Sequence, residues 1–176
     1  QELYRFDTLH AAGEMVKIRY CLIPYLYSEF LKAALRDDMM FKPLAFDFPA
    51  DHMAKETEDQ LLIGDELMIA PVYKQNARGR YVYLPEEMML VRMQTWDQIH
   101  TEILPKGHHY VDIALEELVF FIRPQKAIPF GRPARNTDCI DHSALQLLGY
   151  PGCTYELYAD NGISPEPETS LSITTL

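Results

Sequence analysis

The sequence has little positive charge and no long apolar run. Its 16 lysines and arginines are outnumbered by 26 acidic residues, which gives a formal net charge of −10. A protein that follows a phosphate backbone needs a basic face, so this balance argues against a nucleic-acid binder. A bilayer-spanning helix needs about 20 consecutive apolar residues, and no stretch approaches that length. With 48% hydrophobic and 24% charged residues, the composition is that of a chain with a sizeable folded core.

Cysteine is also scarce, and its spacing argues against a disulfide framework. Cys21, Cys139 and Cys153 are odd in number and widely separated. This pattern favours reduced, partly buried thiols and predicts a cytoplasmic protein. The sequence begins without an initiator Met and without a signal-peptide pattern. We expect it to be a fragment, so its first residues leave the location of the parent protein open.

The common catalytic motifs are missing. There is no Gly-x-Ser-x-Gly nucleophile turn, no phosphate-binding glycine loop and no His-Glu-x-x-His. His108 and His109 are adjacent on a predicted strand. Neighbouring side chains on a strand point to opposite faces, so these two histidines are poorly placed to bind one metal ion. We therefore expect no cofactor and no metal site.

The strongest local pattern is a long amphipathic helix predicted from Thr8 to Leu35. Asp7 or Thr8 can cap its start, and Pro24 predicts a kink because proline cannot donate to the carbonyl of the preceding turn. The apolar stripe is too wide to remain in water, and we expect it to pack on a surface from outside this chain. The stripe comprises Ala12, Met15, Val16, Leu22, Ile23, Leu26, Tyr27, Phe30, Leu31, Ala34 and Leu35.

The rest of the chain predicts mostly β structure. Residues 41–51 alternate apolar and polar positions and predict a short extended segment closed by a turn. Residues 52–59 predict a surface loop or a short helical turn. From Asp59 onward, two apolar runs flank Gly64 and Asp65, which predicts a strand pair or a strand with a bend. The expected strand core comprises Leu62, Leu67, Ile69, Val72, Val82, Leu84, Val111, Phe121 and Ile122.

Several segments, in order, resemble glycoside hydrolase family 31, the α-glucosidase and α-xylosidase family. Residues 19–27 read Arg-Tyr-x-Leu-x-Pro-Tyr-Leu-Tyr, which is similar to the last barrel helix of that family. Residues 59–72 resemble its Asp-Gln-Phe-Leu-Leu-Gly-Asp-x-Leu-Leu-Val-Ala-Pro-Val. Residues 80–85 and 114–123 resemble further strands, and the likeness extends over roughly residues 19–162.

The chain departs from the family pattern in three places. Glu2-Leu3-Tyr4 stands where the family has a Glu-Pro-Trp-like segment. Lys42 replaces the usual Arg and Asp47 the usual Glu, so a bidentate contact by that arginine is not expected here. The usual Trp-Tyr-Asp segment after residue 85 is missing, and Trp96 falls further on.

The resemblance implies a mainly β fold with a long N-terminal helix, in which the final helix of a (β/α)8 barrel is followed by a C-terminal antiparallel β-sandwich. Residues 1–55 would end the catalytic barrel. Residues 56–130 would form the proximal sandwich, and residues 131–176 the start or a truncated form of a distal β domain.

The resemblance also implies an activity, the retaining hydrolysis of terminal α-linked glucosyl or xylosyl residues. In that family both catalytic aspartates and a substrate-binding histidine precede the final helix. We therefore expect no catalytic residue on this chain, and no activity from it alone. Its expected partners are the missing barrel and, through the parent enzyme, an α-glucoside or α-xyloside; a second copy of the chain is the other candidate. The sequence leaves the choice of sugar open.

Several acids were weighed as alternatives. Glu2 could border a substrate cleft, but a solvated loop acid is the simpler interpretation. Asp65 fits a turn, Glu116 and Glu117 are neighbours rather than facing carboxylates, and the tetrad of residues 159–162 matches a calcium loop only in part. A free-standing β-sandwich that binds carbohydrate or protein is the second hypothesis. The long helix favours the first, because a free module has no use for a helix made to pack on a barrel.

Overall fold

A helix of 28 residues, α1 (Leu9–Arg36), opens the described part of the chain. The structure is a computed structural model that describes residues 9–159 and the backbone of residues 168–174. The predicted helix is confirmed, while Asp7 and Thr8 lie outside the described residues. α1 continues through Pro24. Near the proline, the Cys21 carbonyl accepts the Gly131 N–H at 2.9 Å, which ties the helix to a strand far along the chain.

The segment after α1 is less extended than the sequence predicts. Only β1 (Phe41–Pro43) is a strand, and it is followed by one helical turn, α2 (Leu44–Asp47). Pro43 precedes that turn with φ −59°, and a proline at this place favours the start of a helix. The helical alternative for residues 52–59 is confirmed by α3 (His52–Glu56), which Asp51 caps by accepting the N–H groups of Met53 and Ala54.

From residue 61 onward the described chain is mostly β structure, as predicted. Two 3-10 turns, Thr137–Cys139 and His142–Ala144, interrupt the connection that leads into the last strands. The strands are β2 (Leu61–Ile63), β3 (Leu67–Ile69), β4 (Gly79–Leu84), β5 (Met88–Thr95), β6 (Gln98–Leu104), β7 (Gly107–Asp112), β8 (Leu118–Ile122), β9 (Ala127–Phe130), β10 (Gln146–Gly149), β11 (Thr154–Ala159) and β12 (Glu168–Thr174).

A six-stranded sheet forms the middle of the molecule, and every neighbouring pair in it is antiparallel. Its order is β1-β2-β3-β8-β5-β6. Three two-stranded antiparallel ladders accompany it: β4 with β7, β9 with β10, and β11 with β12.

The central sheet is covered on both faces, and successive side chains alternate between two cores. In β8, Phe120 and Ile122 join the core on the α1 side, whereas Phe121 joins the core on the opposite side. α1, β9 and β11 contribute to the first core. The second core includes residues from α2, α3, β4 and β7. Burial on both faces explains the uninterrupted apolar run of β8.

Most of the predicted strand core is buried, with two exceptions. Ile69 is half-buried against the α1-side core. The prediction for Val72 is wrong, because its side chain is exposed. β3 ends at Ile69, and Pro71 has no N–H to continue the ladder, so the chain leaves the sheet. The buried members are Leu62, Leu67, Val82, Leu84, Val111, Phe121 and Ile122.

The apolar stripe of α1 is divided between two environments. We expected the whole stripe to require a surface from outside the chain. That is wrong for Leu22 and Leu26, which pack against this chain's own core. In contrast, Val16 and Phe30 are exposed. Among the residues that the structure describes, no helix combines the length and apolarity needed to span a bilayer.

The predicted boundary near residue 55 falls within a continuous set of contacts. β1 precedes that boundary and pairs with β2, which follows it, through Phe41↔Ile63 and Pro43↔Leu61. The assignment of residues 1–55, 56–130 and 131–176 to separate domains stays a prediction.

Candidate functional site

The turn between β2 and β3 lies beneath α1. Gly64 adopts φ +61° and donates its N–H to the Met40 carbonyl at 2.8 Å. From the helix, the Tyr25 hydroxyl donates to the Ile63 carbonyl. A Cβ at position 64 would lie 2.8 Å from the Tyr25 hydroxyl oxygen and would overlap the Glu29 carboxylate. Glycine is therefore required at position 64 for two reasons: the left-handed backbone conformation and the lack of room for a Cβ atom.

Two carboxylates are buried where α1 meets this turn. Glu29 is 5% exposed and Glu66 is 7% exposed. Glu29 Oε1 accepts hydrogen bonds from the Tyr155 hydroxyl and from Lys32 Nζ, each at 2.6 Å. Glu66 Oε2 accepts from the Tyr25 hydroxyl at 3.3 Å. Buried charges are tolerated only with such partners, so this cluster fixes the helix, the turn and β11 relative to one another.

The protonation of this cluster follows from its burial. Burial raises the pKa of Glu66, and the negative charge of Glu29 adds to that effect. Burial and the same two carboxylates raise the pKa of Tyr25 well above its usual value. Burial and Glu29 raise the pKa of Tyr155 in the same way. Both tyrosines therefore remain protonated and serve as hydrogen-bond donors to the acids.

The buried acids do not form a catalytic pair. Glycoside hydrolysis needs two carboxyl groups facing an open cleft that holds the sugar. Glu29 on α1 and Glu66 in the facing turn are instead buried. A hydroxyl extends the same contact, since Ser28 Oγ donates to the Pro24 carbonyl at 2.7 Å and accepts the Tyr158 N–H at 3.0 Å. The role that this arrangement supports is structural.

A network of ion pairs joins the outer side of the same turn to its neighbours. Lys42 Nζ lies 2.6 Å from Asp65 Oδ1 and 3.0 Å from Asp47 Oδ1. The Arg123 guanidinium contacts Asp47 Oδ2 and Glu86 Oε1, each at 2.6 Å. Lys42 thus binds two acids as a point charge, where the family's arginine could make a bidentate contact.

The interpretation of Asp65 as a turn residue is confirmed. It lies within the turn of residues 64–66, and its side chain is 66% exposed. The hydrogen bond from Lys42 lowers the pKa of Asp65, so this acid is ionised. An exposed, ionised and paired carboxylate is not poised to donate a proton in catalysis.

The other paired acids also lie on a turn, as predicted. The Glu117 N–H donates to the Ala114 carbonyl at 3.2 Å. Glu117 Oε2 accepts from Arg92 Nη1 at 2.9 Å, whereas Glu116 is exposed. Glu117 is therefore a partner for an arginine on the central sheet.

The adjacent histidines have separate surroundings. The His108 ring lies 4.9 Å from the Tyr83 ring, measured between centroids. His109 Nε2 lies 2.7 Å from the Pro105 carbonyl oxygen. Within residues 9–159, no group of three or more His, Cys, Asp or Glu side chains is arranged to hold a metal ion.

The cysteines differ in exposure. Cys21, a residue of α1, is buried, whereas Cys153 is half-buried and Cys139 is exposed. Burial raises the pKa of the Cys21 thiol to about 11, so this thiol is protonated. Two further candidates, Glu2 and residues 160–162 of the calcium-like tetrad, lie outside the described residues.

A groove lined by tyrosines lies beside the β4–β7 ladder. Tyr73, Tyr81 and Tyr110 are 65%, 72% and 57% exposed. Together with Arg80 and Asp59 they line a cavity of about 320 Å³. We call this surface the tyrosine groove.

Sequence reasoning missed both clusters, and only the acid cluster left a local signal. Glu29 follows Tyr25 by four residues, so an acid occupies the core-facing side of an apolar helix. The groove left none, because Tyr81 meets Tyr110 only through the register of β4 with β7.

The architecture matches the C-terminal, β-rich part of known glycoside hydrolases. Residues 37–128 match the model of the glycosyl hydrolase family 31 C-terminal domain. The chain is 30% identical over 152 residues to alpha-glucosidase 2 of Bacillus thermoamyloliquefaciens, which covers 84% of this chain and 18% of that protein. It is 27% identical over 158 residues to the alpha-xylosidase of Saccharolobus solfataricus, which covers 87% of this chain and 21% of that protein. The chain belongs to glycosyl hydrolase family 31.

Solved structures show the same fold. The GH31 alpha-xylosidase from Xanthomonas citri superimposes with a TM-score of 0.67 at 26% identity, over 83% of this chain and 16% of that one. The cycloalternan-forming enzyme from Listeria monocytogenes gives a TM-score of 0.77 at 22% identity, over 98% of this chain and 16% of that one. The chain thus spans about a fifth of the length of the curated relatives that it matches.

The close contact at Gly64 generates the first prediction. Gly64→Ala should lower the free energy of unfolding by about 1–3 kcal/mol or more, because a Cβ forces both a left-handed alanine and a clash with Tyr25 and Glu29. Urea denaturation of the 176-residue chain measures this change. The matched control is Gly13→Ala on α1, where an added Cβ meets nothing within 4 Å. Gly13→Ala should leave the free energy of unfolding unchanged or raise it by about 0.5–1 kcal/mol. Equal losses of stability in both variants would contradict the close contact assigned to Gly64.

The buried acid Glu66 generates a prediction on pH. Because its folded-state pKa is raised, its contribution to stability is fully present below the unfolded value of about 4.3 and is lost as pH rises through the folded value. The unfolding free energy of the parent chain minus that of Glu66→Gln should therefore fall as pH increases above about 4.3.

Asp65 provides the control for this measurement, since its pKa is shifted the other way. The contribution of Asp65 to the free energy of unfolding is present above about pH 3.9 and is lost as the pH falls. Asp65→Asn should give a smaller difference of opposite slope, because this side chain is largely exposed. Chemical denaturation at a series of pH values tests both; a rising difference for Glu66→Gln would contradict the raised pKa.

Proposed function

We propose that this chain is the C-terminal part of a retaining α-glycosidase and that it supports a catalytic barrel carried by other polypeptide. The parent would hydrolyse terminal α-linked glucosyl or xylosyl residues. Relatives named as an alpha-glucosidase and an alpha-xylosidase support this reaction class. The proposal extends beyond this chain because it spans only about a fifth of those relatives.

The observation that carries the proposal is the second apolar face of α1. Tyr25 lies at the centre of the covered face and is fully buried. Val16 and Ala34 each lie nine residues from Tyr25, which is about two and a half turns, so they lie on the opposite side of the helix. Val16 is 41% exposed and Phe30, near the same side, is 56% exposed. A helix that is apolar on both sides is typical of one packed between two bodies.

The second body that fits this face is the barrel. Ile23 and Tyr27 lie between Val16 and Phe30 on the helix and are half-buried, so the uncovered face is continuous along it. The final helix of a (β/α)8 barrel packs its apolar side against the barrel strands. In this proposal α1 closes the barrel with one face and holds the β layers with the other.

The proposed chemistry belongs to the missing polypeptide. One carboxylate attacks the anomeric carbon, and a carboxylic acid about 5–5.5 Å from it protonates the departing oxygen. Water then hydrolyses the glycosyl-enzyme intermediate with the second residue acting as base. Among the described acids, Glu29 and Glu66 are buried, Asp65 and Glu117 form ion pairs, and Glu116 is exposed on a turn beside Glu117. The contribution of this chain is to hold the barrel in shape, and no cofactor is assigned.

A cytoplasmic location is also part of the proposal. It is supported by the cysteine pattern, in which one thiol is buried and another, Cys139, is exposed. Exposed thiols persist in a reducing compartment. Fractionation of cells that express the intact parent tests it, and recovery from the secreted fraction would contradict it.

The proposed absence of catalytic groups predicts that residues 1–176 alone do not hydrolyse α-glycosides. Loss of a nucleophile or its acid partner removes a step that water performs poorly, and here both are expected upstream. Release of nitrophenol from p-nitrophenyl α-glucoside and α-xyloside measures activity, with the intact parent as the positive control. Turnover by the chain that disappears when one of its own acids is replaced would contradict the proposal.

The uncovered face of α1 predicts a selective effect of Phe30. Phe30→Ala should weaken the association of a separate barrel fragment with this chain by about 10- to 150-fold, since burial of a phenylalanine contributes about 1.5–3 kcal/mol. Binding of separately produced barrel and C-terminal fragments measures this, together with the rate of thermal inactivation of the parent.

Leu115→Ala provides the matched control, because Leu115 is 79% exposed and lies on the turn before β8. It should leave association unchanged. In the 176-residue chain alone, Phe30→Ala should hardly alter the unfolding free energy. Equal effects of the two variants on association would contradict the assignment of this face to the barrel.

A further inference from the structure

We propose that the tyrosine groove beside β4 and β7 binds a neutral oligosaccharide. The inference rests on the proposed function for the type of sugar, α-linked glucosyl units, and on the groove itself for the binding chemistry. Neither the family match nor the relatives assign a ligand to this surface.

One wall of the groove is a pair of aromatic rings in edge-to-face contact. Tyr81 on β4 lies directly opposite Tyr110 on β7 in the antiparallel register. The ring centroids are 5.2 Å apart with an angle of 70° between the rings, an edge-to-face arrangement. Both side chains are more than half exposed. Two large aromatic side chains exposed side by side form an apolar surface with polar hydroxyl tips, which suits a ligand with apolar faces and a hydroxylated rim.

The other wall of the groove, formed by Arg80, Asp59 and Tyr73, is ordered by contacts within the protein. Arg80 Nη2 lies 2.6 Å from Asp59 Oδ2, and Arg80 Nη1 donates to the Pro71 carbonyl at 2.8 Å. The Tyr73 hydroxyl donates to the same Asp59 oxygen at 3.2 Å, and the Arg80 guanidinium lies 5.7 Å from the Tyr73 ring centroid. A binding surface that is ordered in advance loses less conformational entropy when a ligand binds.

The charge of the groove favours a neutral ligand. The positive charge of Arg80 is matched by Asp59 at 2.6 Å, and Lys74 is the other cation of the lining. The chain as a whole carries a formal charge of −10. An anionic ligand such as a phosphate ester would therefore gain little, whereas the faces of sugar rings can stack on tyrosine without charge.

The size of the groove suits more than one sugar ring. Its volume of about 320 Å³ falls at the lower end of small-molecule sites, which span about 300–1,000 Å³. A wider depression of about 1300 Å³ continues from it, and both are lined by Pro71, Val72, Lys74 and Ala77. The shared lining gives an oligosaccharide a path along the surface beyond the tyrosines.

Calorimetric titration of the 176-residue chain with maltotetraose and with isomaltotetraose tests the inference. We expect saturable binding of at least one of them. Tyr81→Ala and Tyr110→Ala should each weaken it by about tenfold, the loss of about 1.4 kcal/mol that a stacked aromatic contact supplies. Tyr81→Phe keeps the ring and should stay within about twofold. Circular dichroism and thermal melting confirm that each variant is folded.

Phe46→Ala is the matched control, since Phe46 is 60% exposed on α2 and outside the groove. It should leave affinity unchanged. The inference is overturned if neither sugar binds at millimolar concentration, or if folded Tyr81→Ala and Tyr110→Ala bind as tightly as the parent. Titration records binding without turnover, so its result is separable from that of the hydrolysis assays. If the intact parent is active but the 176-residue chain binds no sugar, this inference is wrong and the proposed function stands.

Discussion

The structure depends on a close contact between a helix and a turn. Gly64 brings the β2–β3 backbone so near to α1 that the Tyr25 hydroxyl reaches the Ile63 carbonyl and the Glu29 carboxylate fills the space where a Cβ would stand. Once these groups are buried, each must find a partner inside the protein. Tyr155 on β11 supplies one of them. The position of the helix, the turn and the last described ladder is therefore set together.

This contact explains why α1 is difficult to assign to one domain. Its buried face contacts β5, β9 and β11, which follow it in the chain. On its other face, Val16 and Phe30 are exposed and Ile23 and Tyr27 are half-buried within the described part of the chain. A boundary drawn between helix and strands would separate buried acids from their hydrogen-bond donors. The proposed barrel and the β layers are better regarded as two bodies that share one helix, so the stability of each depends on the other.

The sequence predicts the elements better than it predicts the contacts between them. The long helix, the turn at Gly64 and the buried run of β8 each have a local pattern and are confirmed. Val72 was misplaced because apolar character continues past Pro71, where the ladder cannot. The buried acid cluster could not be predicted, since Glu29 and Tyr155 are 126 residues apart. The tyrosine groove depends on the register of β4 with β7, which no local periodicity provides.

The order of the elements along the chain has a consequence for synthesis. α1 leaves the ribosome before the strands that cover it, and the hydrogen-bond partner of Ser28, Tyr158, follows 130 residues later. At about 5–20 residues per second that delay is roughly 7–26 s, during which the inner face of the helix lacks its final cover. The proposed barrel, if made upstream on the same chain, would take the outer face during this interval. The helix would then be anchored on one side while the strands assemble on the other, and premature release of the nascent chain would expose both.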